Sequence, residues 1–404
     1  MRLRSLFPWL LLPLVLVAIG IFVALSLPDT EQGTGFDTLP EQGKARRIFT
    51  ERRIDRPGLR VDLGMPENVV LDFRKRLRYQ AQVDISFARG PAMPAMLRVR
   101  GATTRWSERK SFLVTLFETQ RFTEVKLRKF LLLNMLFDPH RFEMVTGYRL
   151  LAKLGLFPSY FQYVSVFING KPQGLYLLVE RPEDAIRRRS SDVVSVIRPN
   201  GRRAREKYSV KYSIPQSDPL RLVHSIRRAT RKENGKALED ELDRKMNLDR
   251  YLRWLAFNSL SENGDSRNEL YLFEERTNDA QWGRLDLVAW DYDDVQERPI
   301  RAAEVLRDPL LYGCEMDLDF VIREDKQLYS RYKRVLRNLL EGLLTEEKLI
   351  ATLRNVRETV ERIDSGVPEE MQLAARIDRT KRMLVFQERL LSRRRTLLAL
   401  LDQP

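Results

Sequence analysis

The stretch YVSVFINGKPQGLYLLVE, which ends at Glu180, constrains the fold more than any other part of the chain. Two alternating apolar segments flank Asn169 and Gly170, the dipeptide that supplies positive φ in a tight turn, so the stretch reads as a β-hairpin. Upstream, Val83, Ile85 and Phe87 alternate, as do Leu97 with Val99, and Phe112 with Val114 and Leu116. These are three more strands with one buried face, and together they predict a mostly antiparallel sheet. Between Asp138 and Gly155 the period changes. Phe142, Val145, Tyr148, Leu151, Ala152 and Leu154 fall on one helical face and Gly155 provides the stop, which places a helix beside the sheet.

Past the hairpin the character of the chain shifts. Residues 185–235 are strongly basic, with Arg187 to Arg189, Arg202, Arg203, Arg205, Arg227, Arg228, Arg231 and Lys232. They show little periodicity and read as a loop-rich crossing between two lobes. The run carries only Tyr208 and Tyr212 as aromatic residues for base stacking, so a nucleic-acid partner is not expected. Asn247 then caps a helix whose apolar positions Leu248, Tyr251, Leu252, Leu255 and Ala256 have helical spacing. From about Asp317 onward the pattern is helical with polar faces. The expected architecture is α+β, with a β-rich N-lobe over residues 51–184 and a mainly helical C-lobe over 185–404.

Composition narrows the chemistry. With 404 residues, 43% of them hydrophobic, the chain has enough apolar material for a real core. The net charge of +15 favours anionic partners such as nucleotides. Cys314 is alone, which excludes an internal disulfide, and the two histidines, His140 and His224, cannot make a Cys/His zinc site. Any metal must take oxygen ligands. At the start of the chain, Arg2 and Arg4 precede an almost uncharged run from Phe7 to Leu27, followed by an acidic stretch. That run is long enough to span a bilayer. It predicts a single-pass membrane anchor over residues 1–29, a polar linker over 30–50, a cytoplasmic N-terminus and an extracytoplasmic main domain. A cleaved signal segment is the alternative, with the same export.

The residues that carry chemistry lie in FNSLSENGDSRNELYLF and GRLDLVAWDYDDV. The order is helix, polar loop with Asp265 and Asn268, two alternating strands, then Asp291, Asp293 and Asp294. Pairing the two strands brings Asn268 beside Asp291, so hard oxygen ligands converge. Magnesium takes one or two carboxylates together with phosphate oxygens, so Asn268, Asp291 and Asp293 suit a metal–phosphate site. Asp265 is the residue type that orients an attacking hydroxyl or accepts its proton in phosphoryl transfer. The order Asp, Asn, hairpin, Asp is that of protein kinases, although the strings His-Arg-Asp, Asp-Phe-Gly and Gly-x-Gly-x-x-Gly are missing.

Several longer strings carry a family resemblance. LRVRGATTRWSERKSFLVTLF, LLNMLFDPHRFEMVTGYRLLAKLG, VFINGKPQGLYLLVE, NGDSRNELYLF and VAWDYDD occur in the order seen in the CotH kinase family of atypical, spore-coat-associated kinases, which the chain resembles. The resemblance implies an atypical, protein-kinase-like two-lobed fold that uses ATP and Mg²⁺. In it Lys110 resembles the lysine that holds the nucleotide phosphates, and Arg100 with Gly101 resembles the start of the phosphate-covering turn. Glu180 would end the linker strand beside the adenine. Asp265 resembles the catalytic aspartate, Asn268 and Asp291 the metal ligands, and Asp293 a second carboxylate. The implied activity is phosphate transfer from ATP to serine or threonine of a surface or envelope protein. AMP transfer on the same scaffold and a non-catalytic module for envelope or spore-coat assembly are the alternatives. The resemblance is looser in two places: ATTRW after Gly101 is poor in glycine and serine, and Arg198 stands where a lysine-bearing strand is expected.

Overall fold

A computed structural model describes residues 59–101, 106–122, 125–200, 207–263, 269–276, 283–293, 295–296, 308–312, 316–365 and 379–403. Seven strands form a closed barrel. They are β1 (Leu59–Gly64), β2 (Gln80–Phe87), β3 (Met93–Arg100), β4 (Ser111–Phe122), β5 (Val125–Leu133), β6 (Phe161–Ile168) and β7 (Lys171–Glu180). Their order is β1-β2-β3-β4-β5-β7-β6, and β6 returns to pair in parallel with β1. The alternation read from the sequence lines the interior: Val83, Ile85, Leu97, Val99, Phe112, Val114 and Leu116 are all buried there with Val61 and Leu63. Each such side chain contributes about 1.5–3 kcal/mol when fully buried. Helix α1 (Glu67–Lys75) lays Val70 and Phe73 into the same cluster, and the Phe73 ring meets Phe112 edge-on at 5.5 Å.

The predicted hairpin is β6–β7, and its turn also closes the barrel. Asn169 and Gly170 have φ of +50° and +76°. The Asn169 side chain accepts from Met65 N at 2.9 Å and donates to Met65 O at 2.7 Å, and its own N–H reaches Leu63 O at 2.9 Å. One turn residue thus pins the end of β1 to the strand that completes the ring. This closure overturns the expected kinase-like two-lobed fold. Alternation shows that a strand has one buried face, but a lobe with an open sheet and a closed barrel alternate alike. What separates them is the contact between β1 and β6, about 100 residues apart, and no local pattern reports it.

Residues 185–235 also depart from the expected loop-rich crossing. They contain most of α3 (Pro182–Arg189), then β8 (Val193–Asn200), β9 (Lys207–Ser213) and α4 (Arg221–Lys232). With β10 (Leu270–Glu275) and β11 (Arg284–Ala289) they build an antiparallel sheet of order β11-β10-β8-β9. β8 was not legible because Val193 to Ile197 are all buried, so the strand does not alternate. Helix α3 packs on β8 and β10, while α4, α5 (Gly235–Lys245) and α6 (Leu248–Ser261) pack against β11. Asn247 caps α6 as predicted, its side chain accepting from Arg250 N at 3.3 Å. Helices α7 (Asp317–Glu324), α8 (Lys326–Asn338), α9 (Glu346–Ser365) and α10 (Arg379–Leu401) complete this part, with a π-helical turn at Leu339–Leu343 after α8.

Helix α2 (Glu143–Lys153) joins the two parts, its residues sharing one core with the barrel residues Leu131, Leu133 and Leu177. It also reaches α9, through Lys153 Nζ to Thr352 Oγ1 at 2.7 Å and Arg149 to Thr359 Oγ1 at 3.3 Å. Asp138 starts it. Its carboxylate accepts from Phe142 N at 3.1 Å and Met144 N at 3.0 Å, satisfying donors that a helix start leaves open.

The expected membrane anchor, and the extracytoplasmic localisation built on it, find no support. Among the described residues no helix is long and apolar enough to cross a membrane. The run from Phe7 to Leu27 and the linker lie outside the described residues.

Candidate functional site

The β10–β11 hairpin forms as the sequence predicted. Leu270 pairs with Ala289, and the pairing extends one step further through Trp290 N donating to Glu269 O at 2.8 Å. Asp265 and Asn268 lie outside the described residues, but the residues on either side of their segment do not. Helix α6 ends at Glu262 with φ of +49°, and Asn263 then donates from Nδ2 to the buried Glu269 carboxylate. Both ends of the predicted polar loop are therefore held at the edge where β11 finishes.

Past β11 the chain makes an acidic turn with a buried anchor. Tyr292 is fully buried, with its hydroxyl donating to Asn258 Oδ1 and its ring 5.4 Å from Phe257. Its neighbours Asp291 and Asp293 are half-buried, and Asp293 N donates to Asp291 O at 2.9 Å. Asp291 has φ of +59°, a left-handed conformation that aspartate tolerates better than most residues and that tends to occur where a side chain must be aimed.

An aromatic floor lies beneath these acids. Tyr148 of α2 stacks on Phe157 at 4.1 Å and on Trp290 at 6.2 Å, and the Arg100 guanidinium stands 6.0 Å from the Trp290 ring centre. Burial raises the Tyr148 phenol well above its ordinary range, and Asp291 and Asp293 push it further while Arg100 opposes them. Arg100 Nη1, Tyr148 Oη and Trp290 Nε1 are all buried, and among the described residues none has a hydrogen-bond partner. Buried polar atoms left open are uncommon, and here three occur on side chains that touch.

The other predicted residues divide. Arg100 joins the cluster because β3 alternates: Val99 faces the barrel interior and Arg100 the outside, beside Ser111. Gly101 follows with φ of +100°, which suits glycine, and the next residues of the predicted turn, 102–105, lie outside the described residues. Lys110 is placed by a different set of neighbours. It is 3% exposed and lines a crevice of 20 Å³ at the barrel mouth with Phe73, Glu108, Phe112 and Tyr176, room for about one water molecule. Burial lowers its pKa, partly offset by Glu108. Glu180 is 1% exposed and fully engaged. Arg188 reaches its two oxygens at 2.8 Å each, and Tyr160 N donates to it at 2.9 Å. It ties α3 to the end of β7. Among the described residues no three His, Cys, Asp or Glu side chains converge as a metal cage.

Two members of this site were not singled out in the sequence. Tyr148 reads as one of several apolar positions on α2, and nothing local shows that its phenol lies within reach of the Asp291 charge. Glu269 directly follows Asn268 at the start of β10, and its place opposite Trp290 was recoverable from the hairpin register.

The chain also matches known proteins. The family model described as CotH kinase protein matches residues 97–382, most of the chain. Inner spore coat protein H of Bacillus subtilis (strain 168) is 22% identical over 292 residues, covering 64% of this chain and 75% of that protein.

Proposed function

Since the chain belongs to the CotH kinase family, we propose that it is a phosphotransferase using ATP and Mg²⁺ to modify serine or threonine of a protein. The observation that carries this reading is the meeting of Asp291 and Asp293 with Arg100 over a floor of Tyr148 and Trp290, where three buried polar atoms are open. That donor set fits a metal–polyphosphate group: hard carboxylates for the cation, a guanidinium for phosphate oxygens, and an aromatic base that excludes water. Asp291 and Asp293, with Asn268, would hold the metal. When bound, ATP with Mg²⁺ supplies an activated phosphoryl group. Asp265 would orient the acceptor hydroxyl and take its proton, and Arg100 would neutralise negative charge near Trp290. The name of the relative, a spore coat protein, favours a structural protein as acceptor.

A non-catalytic assembly module is the second reading. It is favoured by the position of Lys110 at the barrel mouth and by the full engagement of Glu180 with Arg188. Calorimetric titration of the full chain with ATP decides between the two. Metal-dependent binding, weakened at least about tenfold in Asp291→Asn, and transfer of labelled phosphate abolished in Asp265→Asn support the enzyme. A folded protein that does not bind millimolar ATP supports the module.

A further inference from the structure

The second sheet brings cations to the same edge. Leu272 pairs with Ile197 on one side of β10 and Leu270 with Ala289 on the other, so β8 ends where β10 begins and β11 ends. Arg198 follows Ile197 at that edge, and its guanidinium lies 5.5 Å from the Tyr271 ring centre. Tyr271 meets Trp290 edge-on at 6.4 Å, and Trp290 carries Arg100. Two guanidiniums therefore stand on a pair of touching rings, with Asp291 near enough to act on the Tyr271 hydroxyl.

A third cation comes from β9. Ile197 pairs with Val210 and Val196 with Tyr212, which leaves Lys211 as the additional residue of a β-bulge. Bulges re-aim side chains and recur beside functional sites. Burial lowers the pKa of the Lys211 ammonium, Arg198 and Arg181 lower it further, and Glu183 opposes them. Arg181 is already engaged by Glu183 and by Asp184 at 3.4 Å. Arg198 and Lys211 thus bring two like charges near one edge of the sheet, where both would attract a polyanion.

We propose that Arg198 and Lys211, together with Arg100, form a polyphosphate-binding wall beside Asp291 and Asp293, and that Lys110 takes no part in it. The proposal rests on ATP being the substrate and assigns the residues that receive its phosphates. Arg198, pre-set against the Tyr271 ring, presents a planar fork for two phosphate oxygens, and Lys211 adds a point charge at short range. The carboxylates then deal with the cation and the wall with the remaining negative charge. No bond is made or broken in this step.

Inorganic tripolyphosphate without metal is the probe, titrated calorimetrically into the full chain and its variants, with near-UV circular dichroism confirming that each is folded. Arg198→Ala and Lys211→Ala should each weaken binding by about tenfold. Arg198→Lys should recover part of the loss, and Lys110→Met should bind as the parent does. The proposal is overturned if the folded parent does not bind tripolyphosphate, if both wall variants bind normally, or if Lys110→Met alone loses binding. Tripolyphosphate binding lost in the wall variants, in a chain that transfers no phosphate from ATP, would uphold the wall and reject the phosphotransferase reading.

Discussion

Replacing Glu180 by alanine separates a structural carboxylate from a nucleotide contact. In the folded chain this group accepts three hydrogen bonds, two from Arg188 at 2.8 Å and one from Tyr160 N at 2.9 Å, and it is 1% exposed. Truncation leaves the Tyr160 N–H buried without an acceptor, which costs about 1–3 kcal/mol. Breaking a fully buried ion pair costs about 3–5 kcal/mol, but the Arg188 side chain is 32% exposed. Arg188 also keeps its bond to Pro158 O, so water and that carbonyl recover much of its share and about 1 kcal/mol remains. The expected loss is about 3 kcal/mol, read as a lower urea midpoint at unchanged slope. Glu180→Gln keeps one acceptor and the shape, and should lose about half as much. A Glu180→Ala protein within about 1 kcal/mol of the parent, but unable to bind ATP, would refute the structural reasoning and restore the adenine-side role.

Two further expectations follow from buried groups near the junction of barrel and helices. Burial, with Glu143 adding to it, raises the Asp138 carboxyl from its ordinary 3.8 to about 7. The unfolded chain therefore ionises this group first, and its contribution to stability is complete below about pH 4. It is lost as pH rises to about 7, and urea titrations should show that part of the slope missing in Asp138→Asn. Gly147 is the second case: a Cβ there would lie 3.0 Å from Tyr292 Cβ, an atom fixed to the backbone of the acidic turn. Gly147→Ala improves helix propensity by about 1 kcal/mol, yet it should shift Asp291 and Asp293 and weaken Mg²⁺-dependent ATP binding. Unchanged binding by calorimetry would show that the turn is not seated through this contact.

What the sequence made legible is what short periods encode. The Asn169–Gly170 hairpin, the inward face of β2 to β4, the Asn247 cap and the β10–β11 pairing all follow from alternation, helical spacing or turn chemistry, and all formed. Barrel closure depends instead on β1 meeting β6, and β8 depends on burial by α3 on one face. Neither leaves a local period. The same limit divides the site. Asp291 and Asp293 could be placed from the hairpin alone, whereas Tyr148 reaches them through the packing of a helix more than 140 residues earlier in the chain. Lys110 shows what a string alone leaves out. Its position in a string resembling the family suggested a phosphate contact, but strand parity sets it on the same side as Phe112, facing into the barrel, and Arg100 on the opposite side.

That parity limits where the proposed polyphosphate site can lie. A barrel closed by β1 and β6 has its interior filled with Val, Leu, Ile and Phe, and its mouth is covered by Phe73 and Val70, so it offers a polyphosphate no space. Among the described residues, Arg100 is one that points outward at the end of a barrel strand. In the proposed site the remaining cations come from elements on that outer side. The β11-β10-β8-β9 sheet meets Arg100 through Trp290, and the same edge carries Glu269 and the acidic turn. A site assembled in this way depends on the seating of sheet against barrel, which α2 provides through Tyr148 beneath Trp290 and Gly147 against Tyr292. Changes in that packing should therefore alter ligand affinity before they alter the stability of the barrel, because the barrel interior forms a core of its own.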